Sequence, residues 1–197
     1  AIPRLFALSD DDLLRYLVPI LNAVDVPCLV QDFNPGGPTV SPDFVVRLLS
    51  ECPNLRYLKL EEPLCATKVT AIREATSYRV CVLEGWGGLY MMELIPIGIC
   101  GLMPGLGMAD ILNRAFFLRQ KGESEKAFTL YGQVLPHIVF SLQNIELYLY
   151  TEKCLLQERG VLSNSRCRTA SYTADAPTQH YVRELNGRIL QTIRQGL

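Results

Sequence analysis

The chain has few histidines, a single tryptophan and almost no excess of charge: two His, one Trp, and 19 Lys and Arg against 20 Asp and Glu in 197 residues. A net charge of −1, with dispersed cations, gives no basic field for nucleic acid, so no nucleic-acid partner is expected. His137 and His180 have no ligand partners at metal spacing, and Cys-x-x-Cys is missing, so no metal is expected. Long apolar runs are also lacking. The stretch from Leu94 to Leu106 is broken by Pro and Gly and falls short of a span, so no membrane association is expected. The opening residues carry no signal-peptide pattern. Seven widely spaced cysteines, an odd number, suit buried thiols in a reducing compartment, and a cytoplasmic location is expected. From a start on Ala1 rather than Met, the natural N-terminus is expected to be absent and the chain to be a fragment.

What is present is core material, with 49% hydrophobic and 20% charged residues. Ser9-Asp10-Asp11-Asp12 followed by apolar residues at helical spacing predicts a capped helix ending near Val24. Pro27 to Gln31 reads as a buried strand, Asn34 to Pro38 as a loop, and Ser41-Pro42-Asp43 as the start of a second helix. A strand over Leu55 to Leu60, a helix through Lys68, Val69, Ile72 and Arg73, and a strand from Tyr78 to Leu83 follow. Gly85-Trp86-Gly87-Gly88 reads as a loop, Leu89 to Leu94 as a short helix, and Gly98 to Leu102 as a last buried strand. Strand and helix alternate with short connections, the pattern of parallel βα units. Beyond Pro104-Gly105 the pattern is helical only: Met108 to Lys121, Glu123 to Phe140, Leu142 to Arg159 and Gln179 to Ile193. Residues 1–107 therefore read as part of either a doubly wound fold or a barrel, and 108–197 as a helical extension.

Lys59 is a lone cation inside Leu55-Arg56-Tyr57-Leu58-Lys59-Leu60. Strand alternation puts Tyr57, Lys59 and Glu61 on one side and Leu58 and Leu60 on the other. Burial disfavours the charged form of a lysine, and a neutral amine is the nucleophile of Schiff-base chemistry. An edge-strand lysine with its head in water is the alternative. The glycines at 85 to 88 fit neither a dinucleotide fingerprint nor a P-loop, which gives a flavin or nucleotide cofactor little support. They read as close backbone approach at a barrel mouth. In a parallel barrel the loops after the strands carry the site, so Gln31, Asp32, Lys59, Glu61, Gly85, Trp86 and Met103 fall at one face.

These residues, in this order, resemble the dihydrodipicolinate synthase and N-acetylneuraminate lyase family of class I aldolases and dehydratases. The resemblance runs from Pro27 to about Ile193, through Pro53 to Lys59, the Ser41-Pro42 helix start and the Gly98-Ile99-Cys100-Gly101 strand. Val30-Gln31-Asp32 and Lys59-Leu60-Glu61-Glu62-Pro63 look most like the branch that dehydrates 2-keto-3-deoxy sugar acids. The resemblance implies a (β/α)8 TIM-barrel fold with C-terminal helices, no cofactor, a 2-oxo acid substrate and a homo-oligomer, dimer or tetramer. It makes Lys59 the Schiff-base lysine and puts Gln31 where the main family has a proton-relaying tyrosine. An amide does not titrate near neutral pH, so the relay then falls to another group.

The family's earlier strands, with their Gly-Thr-Thr-type carboxylate turn, have no counterpart here. About four strands are legible, or five with Ala1-Ile2, against eight in a closed barrel. An incomplete sheet of this kind should show an unpaired edge and an apolar interior face. The implied reaction is attack of Lys59 on a 2-oxo acid, followed by loss of a hydroxyl as water or by aldol cleavage. Glu61 is expected to lie beyond hydrogen-bond reach of Lys59 or to serve structure. Asp32 is expected to orient Gln31 or cap the next turn, and Trp86 to pack over substrate or anchor the core. The competing reading is an inactive family member that binds a 2-oxo acid or acts as a scaffold.

Overall fold

The first two helices of the N-terminal region begin where a serine side chain, Ser9 or Ser41, accepts a free backbone N–H, and strands follow at the apolar runs. The computed structural model describes residues 8–34, 39–168 and 172–196. The expected strand at Ala1-Ile2 and most of the loop before Thr39 lie outside those residues. Helix α1 (Asp10–Leu21) is closed by a capping box: Ser9 accepts the Asp12 N–H, and the Asp12 carboxylate accepts from the Ser9 backbone. It buries Leu13, Leu17 and Leu21, each worth about 2 kcal/mol relative to exposure. Strand β1 (Cys28–Phe33), helix α2 (Pro42–Glu51), strand β2 (Leu55–Glu61) and helix α3 (Ala66–Ala75) come next. Strand β3 (Cys81–Glu84), the short helix α4 (Met91–Leu94) and strand β4 (Gly101–Leu102) complete the alternating part.

The strands form one parallel sheet in the order β1-β2-β3-β4. Val30, Leu58, Leu60 and Val82 are buried on one face, which the intervening helices cover. The other face carries Leu29, Phe33 and Tyr57 at 40%, 40% and 39% exposure, as expected for an incomplete sheet.

Three strand boundaries differ from the sequence reading. β1 reaches Phe33 rather than stopping at Gln31, so Asp32 is a strand residue. β3 starts at Cys81 and not at Tyr78, because Ser77 and Tyr78 both take left-handed φ values, 49° and 59°. They turn the chain at the end of α3, where the Tyr78 N–H reaches the Arg73 carbonyl at 2.7 Å. Gly98 belongs to a turn with φ 95°, packed so closely on the Arg73 guanidinium that a Cβ there would lie 2.3 Å from it. The cysteines are also less uniformly buried than expected. Only Cys52 and Cys65 are fully buried, Cys100 is exposed as a residue, and all seven are free thiols.

The chain divides into two compact units, Ala1–Trp86 with Glu93–Met103, and Gly87–Met92 with Pro104–Leu197. The second holds a single helical turn at Leu106–Met108 and helices α5 (Ala109–Gln120), α6 (Ser124–Ser141), α7 (Ile145–Glu158) and α8 (Ala176–Arg194). α7 begins later than its apolar pattern suggests because Asn144 accepts the N–H groups of Glu146 and Leu147. Within this unit the Arg159 guanidinium forks onto Asp110 at 3.0 and 2.6 Å, holding the Asp110 carboxyl below its ordinary range. No helix among the described residues is long and apolar enough to cross a membrane.

His137 on α6 is 1% exposed, and neither ring nitrogen has a hydrogen-bond partner among the described residues. Burial pushes its imidazole down to about 4 from 6.5. The folded protein therefore holds the ring neutral while the unfolded chain protonates it. Stability should fall as pH drops from 6.5, by about 3 kcal/mol once pH 4 is reached. Urea unfolding of wild type and His137→Leu at pH 7 and pH 4.5 checks this. The variant should be less acid-sensitive, and identical pH dependence would contradict it.

Candidate active site

The sheet places its reactive side chains on the sparsely covered face, at the carboxyl ends of the strands, where parallel α/β folds bind ligands. Lys59 pairs in register with Gln31 on one side and Leu83 on the other, and Glu61 pairs with Phe33. β2 is an interior strand, which overturns the edge-strand alternative for Lys59. The Lys59 side chain is 14% exposed and that of Glu61 13%.

The two are bonded. Lys59 Nζ lies 2.9 Å from Glu61 Oε1, so of the two expectations for Glu61 the first, a place beyond hydrogen-bond reach, is removed and a structural role stays open. Residues i and i+2 of a strand point the same way, and both side chains are long enough to meet above the sheet. Gln31 Nε2 donates to the same Oε1. One carboxylate oxygen thus joins Lys59 to Gln31 across the two strands. An ion pair this buried contributes little net stability, but removing one partner would strand the other at a cost of about 3 kcal/mol or more.

Gly85, directly after β3, makes room for this group. Its N–H donates to the Leu60 carbonyl at 3.0 Å. A Cβ there would sit 2.3 Å from Glu61 Cγ and 2.9 Å from Lys59 Cε. Trp86 follows and meets Phe33 edge-on, with ring centroids 6.3 Å apart. Phe33 was not singled out from sequence. Extending β1 by two residues would have revealed it, since Phe33 shares a face with Gln31. Met103 is 41% exposed, and its N–H donates to the Glu84 carbonyl at 3.0 Å.

Asp32 is not brought to this group. It is fully buried on the helix-covered face, where Oδ2 accepts the Val40 N–H at 2.6 Å. Among the described residues no group of three or more His, Cys, Asp or Glu could hold a metal ion.

No protein-family model matches the sequence. It is 27% identical over 167 residues to an L-2-keto-3-deoxyarabonate dehydratase from Azospirillum brasilense, taking in 83% of this chain and 52% of the relative. The structure superposes on dihydrodipicolinate synthase from Rhodopseudomonas palustris with a TM-score of 0.83 and 24% identity, covering 91% of this chain and 62% of that one. The fold is that of the dihydrodipicolinate synthases. A synthase from Oceanobacillus iheyensis gives a TM-score of 0.81 at 17% identity, over 98% of this chain and 63% of that one.

The resemblance read from the sequence is borne out, both for the dihydrodipicolinate synthase fold and for a sugar-acid dehydratase as a relative. The chain spans about half the length of that curated relative and under two thirds of the solved synthases. Among the described residues, four parallel strands and the helices that follow them belong to that fold.

Proposed function

We propose that this chain carries the Schiff-base half of a lyase that dehydrates a 2-keto-3-deoxy sugar acid. The observation that carries the reading is the group Gln31–Glu61–Lys59, built around one carboxylate oxygen on an interior strand face. Similarity to a 2-keto-3-deoxyarabonate dehydratase supports the substrate class.

In this reading Glu61 supplies the proton transfer that Gln31, an amide, cannot. The Lys59 ammonium gives a proton to solvent and the neutral amine attacks carbon 2 of the substrate. Water leaves, and an iminium forms. Glu61 takes a proton from carbon 3, and the resulting enamine expels the hydroxyl on carbon 4, which departs as water with the proton from Glu61. Hydrolysis of the imine returns Lys59. Gln31 holds Glu61 over the amine through its side-chain N–H. Phe33 and Trp86 form the apolar edge of the site. Assembly into a homo-oligomer belongs to the same proposal.

The test is intact-mass spectrometry after incubation with pyruvate and borohydride, followed by peptide mapping. A reduced pyruvyl adduct on Lys59 is the expected result. Folded protein that forms no adduct would overturn the lyase reading and leave the 2-oxo-acid-binding or scaffold role.

A further inference from the structure

Behind the reactive face, a second polar cluster lies between the ends of β1 and β2 and the segment that enters α2. Glu62, Thr39 and Asp32 are 8%, 6% and 0% exposed. Glu62 Oε2 accepts both the N–H and the hydroxyl of Thr39, at 2.7 and 2.8 Å. Lys68 Nζ stands 2.6 Å from Glu62 Oε1 and also donates to the Thr39 carbonyl and hydroxyl oxygens at 3.3 and 3.2 Å. Asp32 takes the next N–H along, that of Val40. The two successive N–H groups ahead of the Ser41 cap are therefore gripped by carboxylates from β1 and from the residue just after β2.

The placement follows from strand alternation. Gln31 and Glu61 face the reactive side, and the residues that follow them, Asp32 and Glu62, face the other way and meet at one backbone segment. Burial alone would raise the Glu62 carboxyl, yet Lys68 and Thr39 hold it below its ordinary value, so it is ionised at neutral pH. A buried ion pair of this kind adds little net stability over an apolar replacement, so its physical effect is to fix geometry. It ties the residue that follows Glu61 to the segment entering α2, beside the strand ends where Gln31 meets Glu61.

We infer that Glu62, with Lys68 and Thr39, is a positioning unit that holds Glu61 in line for proton transfer, without itself touching substrate. This rests on the Schiff-base reading above. Displacing a reacting group by about 1 Å costs on the order of 100-fold in rate, so release of the clasp should slow proton transfer while sparing imine formation.

Pyruvate separates the two steps. Borohydride trapping reports the imine, and exchange of the pyruvate methyl protons with heavy water, followed by NMR, reports proton abstraction from it. In wild type both should be observed, and Glu61→Gln should keep the adduct and lose exchange. Lys68→Met should keep the adduct and slow exchange by about 10- to 100-fold. Lys68→Arg, which restores the charge and the donors, should recover most of it. Thr39→Val gives the same comparison if Lys68→Met does not fold. Exchange at the wild-type rate in folded Lys68→Met or Thr39→Val would overturn the inference. So would a parallel loss of adduct and exchange, the mark of a merely structural role. If wild type itself forms no adduct, the lyase reading fails and the clasp's role in proton transfer fails with it.

Discussion

Lys59→Met is expected to lose both the borohydride-trapped adduct and turnover of a 2-keto-3-deoxy acid, the latter by ~10³-fold or more. The thioether side chain fills much of the same volume but cannot form an imine. At 1.36 kcal/mol per decade, a 10³-fold loss is about 4 kcal/mol of transition-state stabilisation. The variant also leaves Glu61 buried with its cation gone, at a cost in stability of about 3 kcal/mol. A stability loss and a chemical loss must therefore be separated. Lys59→Arg does this, since a guanidinium keeps the charge beside Glu61 yet stays protonated and cannot act as a nucleophile. The expected pattern is a folded, inactive Lys59→Arg beside a less stable, inactive Lys59→Met. Retention of more than a tenth of the activity in either variant would remove Lys59 from the chemistry.

Gly85→Ala is expected to damage the same group from the neighbouring strand. Beyond the collisions with Glu61 and Lys59, its Cβ would lie 2.8 Å from the Leu60 carbonyl oxygen. That oxygen is backbone in the interior of the sheet and accepts the Gly85 N–H, so it cannot retreat without breaking the bond that ends the β2–β3 pairing. Overpacking of this kind costs about 1–3 kcal/mol. Chemical denaturation together with pyruvate trapping checks both effects. Stability within about 0.5 kcal/mol of wild type, with full trapping, would mean that the strands spread more easily than their packing implies.

Much of the fold was readable from residue patterns, and the exceptions have physical causes. The βα alternation was legible because Val30, Leu58, Leu60 and Val82 are apolar residues that the helices cover. Helix starts at Ser9 and Ser41 were legible because their caps are local in sequence. Tyr78 was misread as strand because its left-handed turn at the end of α3 carries no glycine to mark it, and Gly98 because its turn packs on the side chain of Arg73, distant in sequence. The same holds for the site. Lys59 and Gln31 stood out by chemistry and spacing. The bond between Lys59 and Glu61 did not, because the sequence places two side chains on one face without fixing how they bend toward each other. The Glu62–Lys68–Thr39 cluster was least visible, since it joins residues 23 and 29 positions apart through a segment with no regular structure.

The consecutive pairs Gln31-Asp32 and Glu61-Glu62 leave the sheet no tolerance for slippage. If β2 slid by a single residue against β1, Glu62 would point where Glu61 now sits, and Lys59 would be driven under the helices. A one-residue insertion or deletion inside either strand is thus a different kind of lesion from any substitution: it exchanges the residues of the open face for those of the helix-covered face, all at once.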